Sequence, residues 1–241
     1  MNPSLQILEF HRSDKIIPSA FALAKSSPSE DLTVRSPEIS LFEWERALQF
    51  QHERARHSFL LGRRCAKKAL QLLDPSLDLS KISLTSALPG HPLFTGVLDP
   101  YEVSISHSLD FALSVISPAT HPVTIDLERI RPERIEAIHR MLTDHEKQMI
   151  EITPDPHSTA TLIWTAKEAL SKWLRSGMSI DFQILEIQSL QQESDRITGT
   201  FEHLFHLRFE SWSIGDWWLT MVFPNKSRFH GFTPRTLDLL Q

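Results

Sequence analysis

The stretch YEVSISHSLDFALSVISPATHPVTIDLE, residues 101–128, predicts three β-strands in immediate succession. Apolar and β-branched residues dominate three runs within it, and turn-forming residues separate the runs. The runs are 101–107, 111–117 and 123–128. Pro118 and Pro122 bracket the second connection, which predicts a break in the chain near residue 120.

Helical patterns lie on both sides of these strands. Apolar residues recur every three to four positions in 54–73 and in 159–175, and Gly177 is placed to cap the second of these helices at its C-terminus. Residues 74–100 contain four prolines and two glycines, which predicts a loop. The whole pattern predicts an α+β fold.

Shorter signals mark further element ends. Ser40 with Glu43, and Thr143 with Glu146, have the three-residue spacing of a capping box, so each pair predicts the start of a helix. Near the C-terminus, alternating residues on both sides of a Gly-Asp turn at Gly215 predict a β-hairpin.

The chain is poor in glycine, which limits how it can hold phosphates. Its 241 residues include 7 glycines, whereas average usage would give about 17. Neither G-x-G-x-x-G nor G-x-x-x-x-G-K-[ST] occurs. If the protein binds a nucleotide-like ligand, side chains rather than glycine-rich loops must hold its phosphates.

The cysteine content and the apolar runs indicate a cytoplasmic protein. A single cysteine, Cys65, excludes an internal disulfide and fits a reducing compartment. No apolar run approaches the roughly 18 residues of a membrane span, and the N-terminus lacks the order of a signal peptide. We therefore expect a cytoplasmic location and no membrane partner.

The charge is unevenly distributed. The net charge of −5 argues against a nucleic-acid-binding surface, yet residues 53–68 hold six basic side chains and one acidic side chain. Arg56, Arg63 and Lys67 form a stripe along the edge of the apolar face of that helix. The stripe is either a solvated helix face or a docking strip for phosphates.

Asp126 and Glu128 are candidate metal ligands. In a strand they project to the same side, while Ile125 and Leu127 point to the other. Neighbouring carboxylates repel each other unless a cation separates them, and a hard divalent ion such as Mg²⁺ prefers oxygen ligands. The same pattern is also compatible with a solvated strand end.

Two further clusters have two interpretations each. Glu168 and Lys172 lie opposite the apolar face of the second long helix. They form either an exposed ion pair or part of a face that another segment covers. Trp164 lies on the same side and favours the covered face. Ser106 and His107 end a strand, where they either contact an anion or form an ordinary turn. The histidine spacings indicate no zinc site.

Four motifs occur in a recognisable order. They are GRRCAKKAL (62–70), SISHS (104–108), TIDLE (124–128) and WTAKEALSK (164–172). They resemble the motifs of the 4′-phosphopantetheinyl transferase superfamily, specifically the monomeric type that activates surfactin and enterobactin synthetases. These enzymes move the phosphopantetheine arm of coenzyme A to a serine of an apo carrier protein and release adenosine 3′,5′-bisphosphate.

The resemblance implies a fold of two similar α/β halves in pseudo-twofold arrangement, with the active site between them. The N-terminal half, 1–120, would contain the basic coenzyme-A-binding segment, and the C-terminal half, 121–241, would contain the metal-binding carboxylates. The implied ion is Mg²⁺, with Mn²⁺ as a substitute.

The resemblance also implies a role for individual residues. The metal ligands would be Asp126, Glu128 and Glu168. The catalytic pair would be Glu168, as the base for the serine hydroxyl, and Lys172, near the pyrophosphate. The coenzyme-A-binding residues would be Arg56, Arg63, Lys67, Ser106, His107 and Lys167.

Two features depart from the family pattern or extend it. Thr124 stands where the family commonly has glycine, and its side chain would share a face with Asp126. The partner would be an acidic acyl or peptidyl carrier protein, and basic residues after the third strand are candidates to dock it. These are Arg129, Arg131, Arg134 and Arg140.

Two other functions remain open from the residues alone. A Mg²⁺-dependent phosphodiesterase or nuclease would also use clustered carboxylates beside a basic stripe. A catalytically silent coenzyme-A-binding protein would bind the ligand and never modify a carrier.

Overall fold

The computed structural model describes residues 3–26, 34–88, 91–98, 100–230, 232 and 240, and it confirms an α+β fold. The helices are α1 (Leu41–Leu48), α2 (Glu53–Leu73), α3 (Ile135–His139), α4 (Asp144–Glu151) and α5 (Pro156–Trp173). The first six strands are β1 (Ser4–Arg12), β2 (Lys15–Lys25), β3 (Ser83–Leu88), β4 (His91–Thr95), β5 (Tyr101–Ser108) and β6 (Phe111–Pro118). The others are β7 (Thr124–Arg129), β8 (Ile187–Gln192), β9 (Ile197–Phe201), β10 (Leu207–Ile214), β11 (Trp217–Pro224) and β12 (Arg228–His230). Within the described ranges, no helix combines the length and the apolar character needed to cross a membrane.

The chain divides into two compact units. Unit 1 contains the residues up to Val123 and the segment that begins at Ser227, and unit 2 runs from Thr124 to Lys226. The sheet of unit 1 is antiparallel with the strand order β12-β1-β2-β6-β5, and β3 and β4 form a separate hairpin. The sheet of unit 2 is antiparallel with the order β7-β11-β10-β9-β8.

Helix α2 packs on one face of the unit 1 sheet. Alanines on β2 meet small residues of the helix, including Ala66 and Ala69, so the backbones approach closely. Cys65 lies in the same layer, where its thiol donates to the carbonyl of Ala112 over 3.3 Å. Burial raises the pKa of this thiol to about 12.

Helix α5 packs on one face of the unit 2 sheet. Its buried side chains include Leu162, Ile163 and Leu170, as the periodicity predicts, and they meet Phe209 and Val222 of the sheet. The hairpin of β10 and β11 turns at Gly215, which has a positive φ of 56°. Strand β7 lies at the edge of this sheet.

Both predicted capping boxes are present, and the glutamate in that of α1 also contacts α2 and β3. The hydroxyl of Ser40 accepts from the backbone of Glu43, whose carboxylate accepts in return from the Ser40 backbone. The same carboxylate pairs with the ammonium of Lys67 on α2 and accepts from the backbone N–H of Leu84 on β3. One buried glutamate therefore joins two helices and a strand.

Unit 2 repeats this arrangement with different residues. Glu146 closes the capping box of α4 with Thr143. It also pairs with the fully buried Lys167 of α5 and accepts from the backbone N–H of Ile187, the first residue of β8. The glutamate again fixes a short helix, the long helix and a strand against one another.

Two sequence predictions about local structure are wrong. Residues 74–100 are not a loop throughout, since they contain β3 and β4; Pro92 is accommodated in a two-stranded sheet, where a strand edge needs no N–H donor. Gly177 does not cap α5. The helix ends at Trp173 with Leu174 as its C-cap, and Arg175 takes the left-handed conformation, with φ 56°.

We expect Lys167→Met to lower the free energy of unfolding by about 3–5 kcal/mol, because it leaves the carboxylate of Glu146 buried without its counter-ion. Urea denaturation followed by tryptophan fluorescence measures this loss. The double variant Lys167→Met/Glu146→Gln should regain part of it.

Lys147→Met is the matched control, because its ion pair with Asp144 is exposed. That variant should lose no more than about 1 kcal/mol. Equal unfolding midpoints for Lys147→Met and Lys167→Met would contradict the importance of the buried pair.

Candidate functional site

Strand β7 presents two carboxylates to the face of its sheet that α5 covers. Glu128 pairs across the sheet with Trp218, which belongs to the core beneath α5. Asp126, two residues earlier, lies on the same face and is 4% exposed. Ile125 and Leu127 alternate with these residues and are fully buried. The strand period therefore aims both carboxylates toward α5.

Helix α5 supplies a cation to this face. The ammonium of Lys172 donates to Asp126 Oδ1 over 2.7 Å and to the carbonyl of Ile125 over 3.0 Å. Its side chain is 23% exposed. Lys172 is thus bonded to β7, which excludes the interpretation of a simple exposed pair with Glu168.

Glu168, one turn before Lys172, is electrostatically coupled to the strand carboxylates. Burial raises the pKa of Glu168 to about 7, and the charges of Asp126 and Glu128 act in the same direction. The charges of Lys172 and Arg134 oppose this rise in pKa. Both strand carboxylates therefore lie close enough to Glu168 for their charges to raise its pKa.

Arg134, one of the candidates for carrier docking, contacts the carboxylates of β7. Its guanidinium donates to Glu128 Oε2 over 3.2 Å. Burial and the charge of Asp126 raise the pKa of Glu128, and Arg134 partly offsets both. A basic residue six positions after a D-x-E strand was the only sequence signal for this contact.

Trp164 lies on a covered face of α5, which is one of the two interpretations left open by the sequence. It is 6% exposed, and its ring stacks on Phe182 with the centroids 5.1 Å apart. The short 3₁₀ helix Phe182–Leu185 therefore covers the side of α5 that carries this tryptophan.

The chemistry of the three carboxylates suits a divalent cation. Their oxygens are hard ligands, and their mutual repulsion is the kind that a bound cation relieves. Across the described residues, no three His, Cys, Asp or Glu side chains are placed to hold an ion together. Asp126 instead contacts Lys172, and Glu128 contacts Arg134. An ion held by all the carboxylates would require these side chains to turn away from their present partners.

Thr124 ties β7 to α5. Its hydroxyl donates to the carbonyl of Ala169 over 2.7 Å, and the residue is 8% exposed. Ala169 follows Glu168 in the helix, and Thr124 precedes Asp126 by two residues in the strand. The hydroxyl is therefore engaged by the helix backbone and holds the two elements together beside the carboxylates.

In unit 1, the arginines of the basic stripe have buried nitrogens that the described residues leave without a hydrogen bond. The Nε atoms of Arg56 and Arg63 are buried with no acceptor among the described residues. The Arg63 guanidinium lies 3.3 Å from the centre of the Phe59 ring. Burial lowers the pKa of Arg63 to about 10, although the charge of Glu43 opposes this. An anionic ligand would compensate such a desolvated cation.

Lys67 and Lys167, expected to bind coenzyme A, are fully buried. The ammonium of Lys67 donates to Glu43 and to the carbonyls of Glu38 and Leu79, which engage all three of its protons. Lys167 donates to Glu146 and to the carbonyl of Met141. These placements argue against phosphate binding by either lysine, because the charge of each is neutralised inside its own unit.

Ser106 and His107 project to opposite faces of β5. Ser106 is 4% exposed, whereas His107 is exposed and its ring lies against α2 at Gly62. Consecutive strand residues alternate in direction, so the two side chains do not form one cluster. Only His107 adjoins the helix that carries the basic stripe.

Part of the chain that carries this site matches a known protein family. Residues 122–222 match the family model described as the 4′-phosphopantetheinyl transferase superfamily. The match covers less than half of the chain, and it contains Asp126, Glu128, Glu168 and Lys172. The candidate residues of α2 and β5 lie outside it. A search of curated proteins found no match.

We expect Thr124→Val to lower the free energy of unfolding by about 1 kcal/mol, because it removes the hydrogen bond to Ala169 and keeps the side-chain shape. Thr124→Ser retains a hydroxyl and is the matched control, with a smaller loss. Chemical denaturation measures both variants. A Thr124→Val protein as stable as the wild type would show that the hydrogen bond from Thr124 to Ala169 contributes nothing to stability.

Proposed function

We propose that the protein is a 4′-phosphopantetheinyl transferase, which moves the phosphopantetheine arm of coenzyme A to a serine of an apo carrier protein. The observation that carries this proposal is the family match at 122–222, which includes the carboxylates and the lysine gathered by β7 and α5. In the reaction the serine oxygen forms a bond to phosphorus and the pyrophosphate P–O bond breaks. Adenosine 3′,5′-bisphosphate leaves.

The residues of unit 2 would manage the charge of this step. Attack on a phosphoanhydride requires negative charge on both phosphates to be neutralised. A divalent cation, Mg²⁺ or in its place Mn²⁺, held by Asp126, Glu128 and Glu168 would supply part of that neutralisation. Lys172 stands beside Asp126 and would stabilise the departing phosphate.

We propose that Glu168 is the base that accepts the proton of the attacking serine hydroxyl. It lies on α5 one turn from Lys172, and its charge interacts with that of Asp126. A carboxylate in this position would accept the serine proton directly or through a water molecule as the new bond to phosphorus forms.

Residues of unit 1 would bind the phosphates of coenzyme A. Arg56 and Arg63 have buried Nε atoms that find no acceptor among the residues the structure describes, and His107 adjoins the same helix. These side chains replace the glycine-rich loops that the sequence lacks. Lys67 and Lys167 are not part of the proposed binding set, because their ammonium groups are engaged internally.

Mass spectrometry of apo carrier proteins tests the proposed activity. Carriers of fatty-acid, polyketide and peptide synthesis are incubated with the protein, coenzyme A and Mg²⁺. At least one should gain the mass of phosphopantetheine. No adduct on any carrier, beside a control enzyme that works, would overturn the proposal; metal-dependent cleavage of a nucleic acid or a small diester would support a phosphodiesterase instead.

We expect Asp126→Asn to lower kcat by about 100-fold or more, because it removes a charge from the centre of the proposed site. Asp195→Asn is the matched control, since that carboxylate is about half exposed and its partner is Arg196. Its kcat should stay at the wild-type level. Retention of full activity by Asp126→Asn would remove this residue from the site.

The docking of the carrier is a separate prediction. Arg134 is engaged by Glu128, but Arg131 has a buried Nε without an acceptor in the described part of the chain. We expect Arg131→Glu to raise the KM for an acidic carrier by about tenfold and to leave the KM for coenzyme A unchanged. The exposed Arg228→Glu changes net charge equally and serves as the control. Equal carrier kinetics in both variants would exclude a docking role.

A further inference from the structure

Gly62 occupies the interior of α2 at a point where no side chain fits. A Cβ atom built there would lie 2.7 Å from Cε1 of His107, closer still to its Nε2, and 3.1 Å from Cγ2 of Ile105. Cβ atoms do not approach other atoms to within 3.0 Å in real structures. The end of the His107 ring therefore fills the space that a side chain at position 62 would need.

Backbone conformation does not explain this glycine. Gly62 lies nine residues inside a regular helix, where glycine is the least favourable residue apart from proline. It does not have the positive φ that marks Gly96, Gly177 and Gly215. In a chain with only 7 glycines, Gly62 lies inside a long α-helix, and close approach of a neighbour is the remaining physical reason.

The space at Gly62 brings the imidazole to the side of α2 that carries the Arg63 guanidinium. Arg63 reaches back along the helix to the ring of Phe59. Phe59 and Gly62 are three residues apart and are therefore neighbours on the helix surface. The imidazole of His107 lies against Gly62, and the guanidinium of Arg63 lies against the ring of Phe59. The two groups accordingly occupy adjacent positions on one side of the helix.

We propose that Gly62 is a positioning residue, which admits the His107 imidazole to the surface of α2 so that it and Arg63 together receive a phosphate of coenzyme A. The identity of the ligand rests on the proposed function, whereas the placement of the ring does not. A side chain at position 62 would displace the imidazole and leave the helix intact.

Gly62→Ala, His107→Ala and the double variant test this proposal. Gly62→Ala should fold with a melting temperature at or above that of the wild type, because alanine favours the helix and the displaced group is a mobile ring end. Its KM for coenzyme A should rise by about tenfold, with kcat within a factor of about two. His107→Ala should show the same change, and the double variant should show no further rise.

The ring itself provides a readout that does not depend on catalysis. In a ¹H–¹³C NMR spectrum, the His107 Cε1 signal is assigned by its absence from His107→Ala. It should shift in Gly62→Ala and stay in place in the control Gln71→Ala, nine residues further along the same helix. An unmoved signal in Gly62→Ala would overturn the assigned placement.

The outcomes separate this inference from the proposed function. A shifted ring signal with unchanged affinity for coenzyme A would overturn the role of Gly62 in binding, even if the wild type transfers phosphopantetheine. A wild type that does not bind coenzyme A in calorimetry would overturn the proposed function. Additive KM effects in the double variant would show that Gly62 acts through a group other than His107.

Discussion

In each unit, a buried glutamate neutralises a lysine of the long helix, and the elements around it depend on this ion pair. A lysine in the interior is tolerated only with a counter-ion and with acceptors for its protons. Glu43 supplies the charge for Lys67, and Glu146 supplies it for Lys167. Each glutamate also closes a capping box and accepts a hydrogen bond from a strand N–H, so one carboxylate joins a short helix, the long helix and a strand. Since Lys167 is fixed inward, the rotation of α5 about its axis is set, and with it the direction of Glu168.

The candidate site of unit 2 forms where one face of strand β7 packs against one face of helix α5. The strand period of two aligns Asp126 with Glu128, and the helical period aligns Glu168 with Lys172. Thr124 holds the strand to the helix at one end of this contact. Three carboxylates then face two cations, Lys172 and Arg134, and the excess negative charge contributes to the raised pKa of Glu168. A site with this charge balance suits a further cation.

Much of this arrangement was predictable, because it depends on local spacing. The capping boxes, the two long helices and the D-x-E strand are all evident from residue intervals. The burial of Lys67 was not, because its partner Glu43 lies 24 positions earlier and periodicity alone placed the lysine on a polar stripe. The contact of Arg134 with Glu128 and the space at Gly62 likewise depend on how distant segments pack. Spacing predicts which residues share a face, and tertiary contacts decide whether that face meets solvent, a counter-ion or a ring.

The burial of Cys65 has a consequence for a protein that would handle coenzyme A, a substrate that ends in a thiol. Disulfide exchange requires an accessible thiolate, and the substrate in its oxidised form would capture any exposed cysteine as a mixed disulfide. Cys65 is fully buried and its pKa is raised to about 12, so it presents no thiolate at neutral pH. It is also the one cysteine of the chain. The protein is therefore inert toward covalent trapping by its own proposed substrate, whatever the redox state of that substrate.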